Sequence, residues 1–284
     1  MLAACLAAAL AFTPADAKLA LDAAGALVSE CTPRDAGTVG SRRAALHIRD
    51  AARAAGADAS LDFFSAMTPK GRRLFCNVSC EWTANPTGEW TVVISHFDTK
   101  PSSSCPGAND GASTTGILLS LARIISSRRT PPGNIMLMWL DGEESMSAYT
   151  EHDGFWGSKR AARLLKKSGR KVKAVVCLDM LGDRDLAVSI PRNSSPELRD
   201  LALECAGRIG ASGSVSTMRE LVKDDHVAFL GEGFPAIDLI DFEYGSAPGR
   251  NDWWHTPEDT MDKLSEESLL LSGRLACEML NRLL

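Results

Sequence analysis

The chain has 284 residues and a net charge of −5, and is 45% hydrophobic and 24% charged, which suits one large soluble α/β domain or two small ones. The acidic balance and the lack of a basic stripe argue against nucleic acid as a partner. Arg42–Arg43, Arg72–Arg73 and the Lys/Arg cluster at 165–173 read as scattered, solvated faces.

The chain opens "MLAACLAAALAFTPADAKLA". Residues 2–12 are apolar and "ADA" (15–17) fits a small-x-small cleavage site, so residues 1–17 read as a signal peptide without a basic start. The run is too short to span a bilayer. "LAAC" (2–5) resembles a lipoprotein box, but too little precedes it. A secreted or periplasmic protein is expected, with one domain over 18–284.

An Ala-rich helix is predicted over 40–56, then strands at 59–66, 73–82 and 91–96, separated by the turns "TPKG" and "NPTG". A helix follows at 111–127. "IMLMWL" (135–140) is a continuous apolar run of strand length. Next come a helix at 154–168, a strand at 172–179, a helix at 195–209, a strand at 235–241 and a C-terminal helix at 264–283. Continuous apolar strands alternating with helices imply a sheet covered on both faces, hence a three-layer α/β/α domain. Sites in such sheets gather beyond the C-terminal strand ends.

Those ends carry polar residues. His96 and Asp98 close one strand; Asp141, Glu143 and Glu144 follow another; Asp179 ends a third. His255 follows the last strand, and Asp110 sits in the Gly-rich "GANDGASTTG" at a helix start. Singly, each has a structural explanation: Asp110 as a helix cap, Asp179 as a turn acid, His255 as a loop histidine, Glu143–Glu144 as a solvated pair. Together, imidazole and carboxylate at strand ends make a zinc environment. Neighbouring Glu143 and Glu144 point different ways, so one can bind metal while the other serves as general base or acid. Asp224 and Asp225 stand next to His226 just ahead of an apolar run, where a buried charge needs a partner.

Of the eight cysteines, Cys5 lies in the expected leader. Cys76 and Cys80 are about 13 Å apart along a strand, too far for a disulfide. Buried free thiols are the expectation, with Cys105 the best candidate for a bridge. "NVS" (77–79) is a glycosylation sequon inside a predicted strand.

The ordered set "SHFDT", "GANDGAS", "DGEES", "LDMLGD" and "WHTPEDT" resembles the zinc aminopeptidases with co-catalytic metals and their relatives, the zinc-dependent glutaminyl cyclases. The resemblance covers nearly the whole chain after the leader and implies a mixed, mostly parallel central sheet, as in zinc exopeptidases. It places His96, Asp110, Glu144, Asp179 and His255 at metal-ligand positions and Glu143 at the general base. In the cyclases one zinc is held by Asp110, Glu144 and His255; in a dinuclear aminopeptidase His96 and Asp179 would serve the second. "DDHVAF" (224–229) matches the cyclases rather than the S-D-H of the aminopeptidases. It implies that Asp224, Glu143 and Asp179 form a proton-sharing chain. Trp254 matches the cyclase substrate wall, while Tyr149 stands where many cyclases have tryptophan. The resemblance therefore implies a monomeric glutaminyl-peptide cyclotransferase acting on peptide N-termini, with a metallo-aminopeptidase as the alternative.

Overall fold

The computed structural model describes residues 9–284. Eight strands form one sheet in the order β1-β2-β4-β3-β5-β8-β6-β7. They are β1 (Ala59–Thr68), β2 (Gly71–Trp82), β3 (Trp90–His96), β4 (Asn134–Leu140), β5 (Val172–Asp179), β6 (Val188–Ile190), β7 (Val215–Thr217) and β8 (Ala236–Ile240). The four central strands β4, β3, β5 and β8 run parallel, and antiparallel pairs flank them on both sides. The expected mixed, mostly parallel sheet of a zinc exopeptidase is what the chain forms. The two shortest strands, β6 and β7, lie outside the predicted elements.

Seven helices cover the sheet: α1 (Pro14–Cys31), α2 (Val39–Ala54), α3 (Thr114–Ser126), α4 (Trp156–Ser168), α5 (Pro196–Arg208), α6 (His226–Gly231) and α7 (Glu266–Leu283). The side-chain alternation of the strands sorts the core into two layers. Val93, Leu137, Val176 and Ile237 face α1, α2, α3, α5 and α7. Val92, Ile94, Met136, Val175 and Ala236 face α4 and α6. Burial on both faces explains the unbroken apolar run 135–140 of β4, and every residue of β3 is buried too.

Residues 10–17 are built into this fold, ahead of the expected domain start at 18. Leu10 and Phe12 are buried. Leu10 N–H donates to Asn281 Oδ1 at 2.7 Å, and Asn281 Nδ2 donates back to Leu10 O at 2.9 Å. Thr13 and Asp16 form a reciprocal cap on α1, and Asp16 pairs with Arg123. The remainder of the expected leader, residues 1–8, lies outside the described residues. No helix among the described residues is long and apolar enough to cross a membrane.

The topology fixes where a site forms. From β3 the chain passes through α3 to β4 on one side, then through α4 to β5 on the other. The ends of neighbouring strands therefore part around β3 and leave a crevice at their C-terminal tips. His96, Leu140, Asp179 and Ile240 are the last residues of the four parallel strands.

Candidate active site

Two histidines and three acids meet in that crevice. His96 Nε2 lies 3.0 Å from Asp110 Oδ1 and 3.1 Å from Asp179 Oδ1. His255 Nε2 lies 2.8 Å from Glu144 Oε1 and 3.3 Å from Asp110 Oδ2. Asp110 thus stands between the two imidazoles. Burial acts to raise its pKa, but His255 and His96 outweigh this and hold the carboxyl far below the usual range. Burial likewise acts to lower the His255 pKa, yet Asp110 and Glu144 lift it to about 9. Asp110 Oδ2 and Glu144 Oε1 are buried and face only the His255 imidazole. Buried carboxylate oxygens converging on an imidazole nitrogen suit a divalent cation with mixed N/O ligands, so Asp110, Glu144 and His255 fit zinc. His96, Asp110 and Asp179 form a second group with donors within coordinating reach of one another.

The loops that present these residues are pinned from behind. Asp98, fully buried, accepts the backbone N–H groups of Gly142, Glu143 and Glu144 at 2.8, 3.1 and 3.1 Å. Asp259 does the same for Asn109 and Asp110 at 2.7 and 3.1 Å, and takes the Tyr244 hydroxyl at 2.7 Å. Buried Arg34 donates to the carbonyls of Phe97, Pro106 and Gly107, each at 2.6 Å. The Asp110 turn needs Gly111: its φ is +95°, and a Cβ there would sit 3.0 Å from the His96 ring. Met180, directly after Asp179, and His255 itself hold φ of +54° and +59° without being glycine. Such backbone is strained and persists where surrounding structure enforces it, as at ligand-bearing positions.

A cavity of about 320 Å³ opens onto this centre. Asp110, Glu143, Glu144, Asp179, Asp224 and His255 line it, and Tyr149 and Trp254 form walls. The Trp254 ring stacks on His255 at 3.8 Å between centroids. The Tyr149 hydroxyl donates to Glu144 Oε2 at 2.7 Å and to Glu143 Oε2 at 3.2 Å. Burial, then the neighbouring Glu144, push the Glu143 pKa well above that of an ordinary glutamate. Burial raises Asp179 to about 7 although His96 opposes it.

Behind the cavity, on the α4/α6 face, lies a second acidic group. Asp224, Asp225 and Asp238 are buried there with Cys177 and His226. Asp238 and Asp225 are both pushed well above the carboxylate range, first by burial and then by Asp224. His226 Nδ1 lies 3.8 Å from Asp238 Oδ2, beyond hydrogen-bond range, and the Asp238 carboxyl faces that of Asp224. Burial beside a second acid favours the protonated form of Asp238.

The expected site residues therefore assemble in one place. Asp224 enters the cavity wall, where it adds to burial in raising the proton affinity of both Glu143 and Asp179, and it also meets the carboxyl of Asp238, which β8 carries onto the α6 face beneath it. Two details differ. Asp141 points away from the site and accepts from Cys76 N–H and Ser41 Oγ. Cys105 is not bridged: all seven described cysteines are free and buried, and its thiol contacts Asp259 at 3.6 Å. His226 meets Asn193 at 2.9 Å and Asp225 packs near Ser158, which ties this loop to its neighbours. Trp253 packs on Tyr244, and Asn77 of the sequon is buried, donating to Gly157 O. Sequence reasoning missed Asp238 and the anchors Asp259 and Arg34. An acid inside the apolar run 235–241 was the available signal for Asp238.

Comparison with known proteins agrees with this geometry. Residues 77–280 match the model for peptidase family M28. The glutaminyl-peptide cyclotransferase of Drosophila melanogaster is 28% identical over 251 residues, covering 77% of this chain and 69% of that protein. The chain spans 60–73% of the length of the first three curated relatives it matches. The structure of an Acidobacteriales bacterium glutaminyl cyclase superposes with a TM-score of 0.88 at 30% identity, covering 100% of this chain and 98% of that one. That of the Porphyromonas gingivalis enzyme gives 0.85 at 25%, covering 94% and 98%. The chain belongs to peptidase family M28 and, within it, to the glutaminyl cyclases.

Proposed function

We propose that this chain is a glutaminyl-peptide cyclotransferase that acts as a monomer and holds a single zinc ion on Asp110, Glu144 and His255. The observation that carries the reading is the shared cavity: Glu143, a buried acid of raised proton affinity, lines it beside those three ligands and Trp254. Zinc bound there would supply Lewis-acid polarisation of the substrate's γ-carboxamide.

The rest is the work of the chain's own residues. Trp254 and Tyr149 wall the cavity and hold the glutamine side chain folded toward its own α-amine. The attack is intramolecular, so orientation alone removes several kcal/mol of barrier. The amine nitrogen forms the new bond to the carboxamide carbon. Glu143 takes the proton that the amine sheds and delivers it to the departing nitrogen, which leaves as ammonia. A carboxyl of ordinary acidity would take that proton poorly; burial beside Glu144 raises Glu143 toward the operating pH. The Tyr149 hydroxyl fixes the orientation of both glutamates. Asp179 and Asp238, both of raised proton affinity, stand in and behind the wall beside Glu143.

A second reading rests on the His96–Asp110–Asp179 group: with two ions the same centre would suit an aminopeptidase. Two measurements separate the readings. Metal analysis of the purified protein should give one zinc per chain. Ammonia release from a glutaminyl peptide should far exceed release of leucine from a leucyl anilide; two zincs with leucine release would reverse the assignment.

The apolar run at 2–12 supports export, to the periplasm or the exterior. We place any processing site ahead of Leu10, because cleavage after Ala17 would remove the first turn of α1 and its cap. N-terminal sequencing of the secreted or periplasmic fraction checks this; a mature chain starting at Lys18 would refute it.

A further inference from the structure

We propose that the groove between β1 and α4 is an exosite for acidic residues of the peptide substrate, a few positions behind its N-terminal glutamine. This deepens the cyclotransferase reading and rests on it.

The groove, about 800 Å³, is larger than the catalytic cavity and separate from it. One wall is a single stripe of α4: Trp156, Lys159, Arg160, Arg163, Leu164 and Lys167. These positions recur at the three- and four-residue spacing of one helix face. The opposite face of α4 is buried through Ala161, Ala162 and Leu165. The other wall is β1 from Phe64 to Thr68. β1 ends the sheet and pairs only with β2, so its outer backbone edge is open to a further strand.

The charges favour an anion. Arg160 is committed to Asp62 through two 3.0 Å hydrogen bonds, and Lys159 to the carbonyls of Glu151 and Gly154. Arg163 is 74% exposed and only grazes Glu232 at 4.0 Å, while Lys167 is exposed with no acidic partner among the described residues. On a chain of net charge −5 this stripe is a local concentration of cations, opposed in the groove lining by Glu151 alone among the described residues. Lys167, unpaired among the described residues, and a weakly paired, exposed Arg163 beside an open strand edge and an apolar floor of Phe64, Met67 and Trp156 fit an extended acidic peptide rather than a nucleic acid, which would need a broad basic surface.

The substrate itself can supply that peptide. Tyr149 lines the catalytic cavity, and His152, three residues on, lines the groove. Their Cα atoms are at most about 11 Å apart, a span that an extended chain crosses in roughly three or four residues. Acidic side chains at about the fifth to eighth substrate positions would therefore meet Arg163 and Lys167.

The test compares octapeptides that start with glutamine and carry either acidic or neutral residues at positions five to eight, on the wild type and on an Arg163→Glu/Lys167→Glu double variant. The wild type should show a KM about five-fold lower for the acidic peptide, lost at high salt, and the double variant should abolish that preference. kcat, and turnover of a glutaminyl dipeptide amide, should not change. Equal KM values in the wild type, or a preference that survives charge reversal, would overturn the exosite. Binding of a fluorescein-labelled acidic octapeptide without glutamine reads the groove independently of chemistry. Arg163-dependent binding without any cyclisation would sink the cyclotransferase reading and leave the groove; cyclisation with no such binding would do the reverse.

Discussion

The two buried acid clusters of this protein, on opposite sides of the β5 tip, solve the problem of like charge in different ways. In front, Asp110, Glu144 and Asp179 share His96 and His255, and Asp110 is held ionised. Behind, Asp224, Asp225 and Asp238 have only His226, whose pKa burial lowers, and Asp238 and Asp225 are pushed up into the protonated form. The front is therefore prepared to receive a cation and the back to retain protons. Glu143 stands at the seam: it lines the cavity with the ligands, yet its proton affinity is raised by burial, Glu144, and then the back acids Asp224 and Asp225.

Substitution at the seam should give the largest effect. Glu143→Gln keeps the shape and removes the proton carrier, so kcat for a glutaminyl peptide should fall by about 10² to 10⁴. Zinc content should stay at the wild-type level, because Glu143 is not among the three ligands. A variant that loses zinc instead would place Glu143 on the front side of the comparison. The next largest effect concerns the front alone. Added zinc should raise the Tm of metal-stripped wild type, with ligand stabilisation of about 4 kcal/mol when zinc is at a thousand times its Kd. Asp110→Asn should remove most of that rise. A full rise in the variant would mean that the ion does not need the acid between the two imidazoles.

Much of the front was legible before the fold was known, and the back was not. Ligand residues fall at strand ends and in a Gly-rich turn, so their chemistry and their place in the chain coincide. The anchors behave otherwise. Asp98 accepts three N–H groups from a loop more than forty residues away, and Asp259 caps a turn nearly 150 residues earlier. No local pattern encodes such a contact; it arises only when the strands bring distant loops together. Asp238 is the instructive intermediate, since an acid in the middle of a buried strand had to have a partner, but the partner came from the neighbouring loop at 224. The α1 helix was hidden for another reason. Ala17, Ala20, Ala24, Leu27 and Cys31 follow a helical stripe, but the first turn of this helix also carries the small-x-small pattern of a leader's end.

A smaller effect is expected where the front meets the substrate wall. Tyr149→Phe removes a hydroxyl that donates to both Glu143 and Glu144 while leaving the ring stacked on Phe155. Hydrogen bonds to charged groups contribute about 1.5–3 kcal/mol, so kcat should drop roughly ten-fold or somewhat more, with KM little changed. A rise in KM alone would make Tyr149 a binding wall without influence on the glutamates.

The smallest effect tests the proton-retaining side directly. The folded-state pKa of Asp238 lies well above its unfolded value of about 3.9, so its favourable contribution is complete below that value and is lost as pH rises through the folded pKa. Asp238→Asn keeps the size and cannot ionise. The wild type should therefore lose stability above pH 4 more steeply than the variant, by up to about 1.4 kcal/mol per pH unit until Asp238 ionises in the fold. Asp225 shifts in the same direction, so part of the wild-type slope should survive in the variant. Parallel pH curves for the two proteins would show that Asp238 is already ionised in the fold. A buried carboxylate facing Asp224 and Cys177 could stay ionised only beside a cation, and the contrast between the two clusters would then disappear.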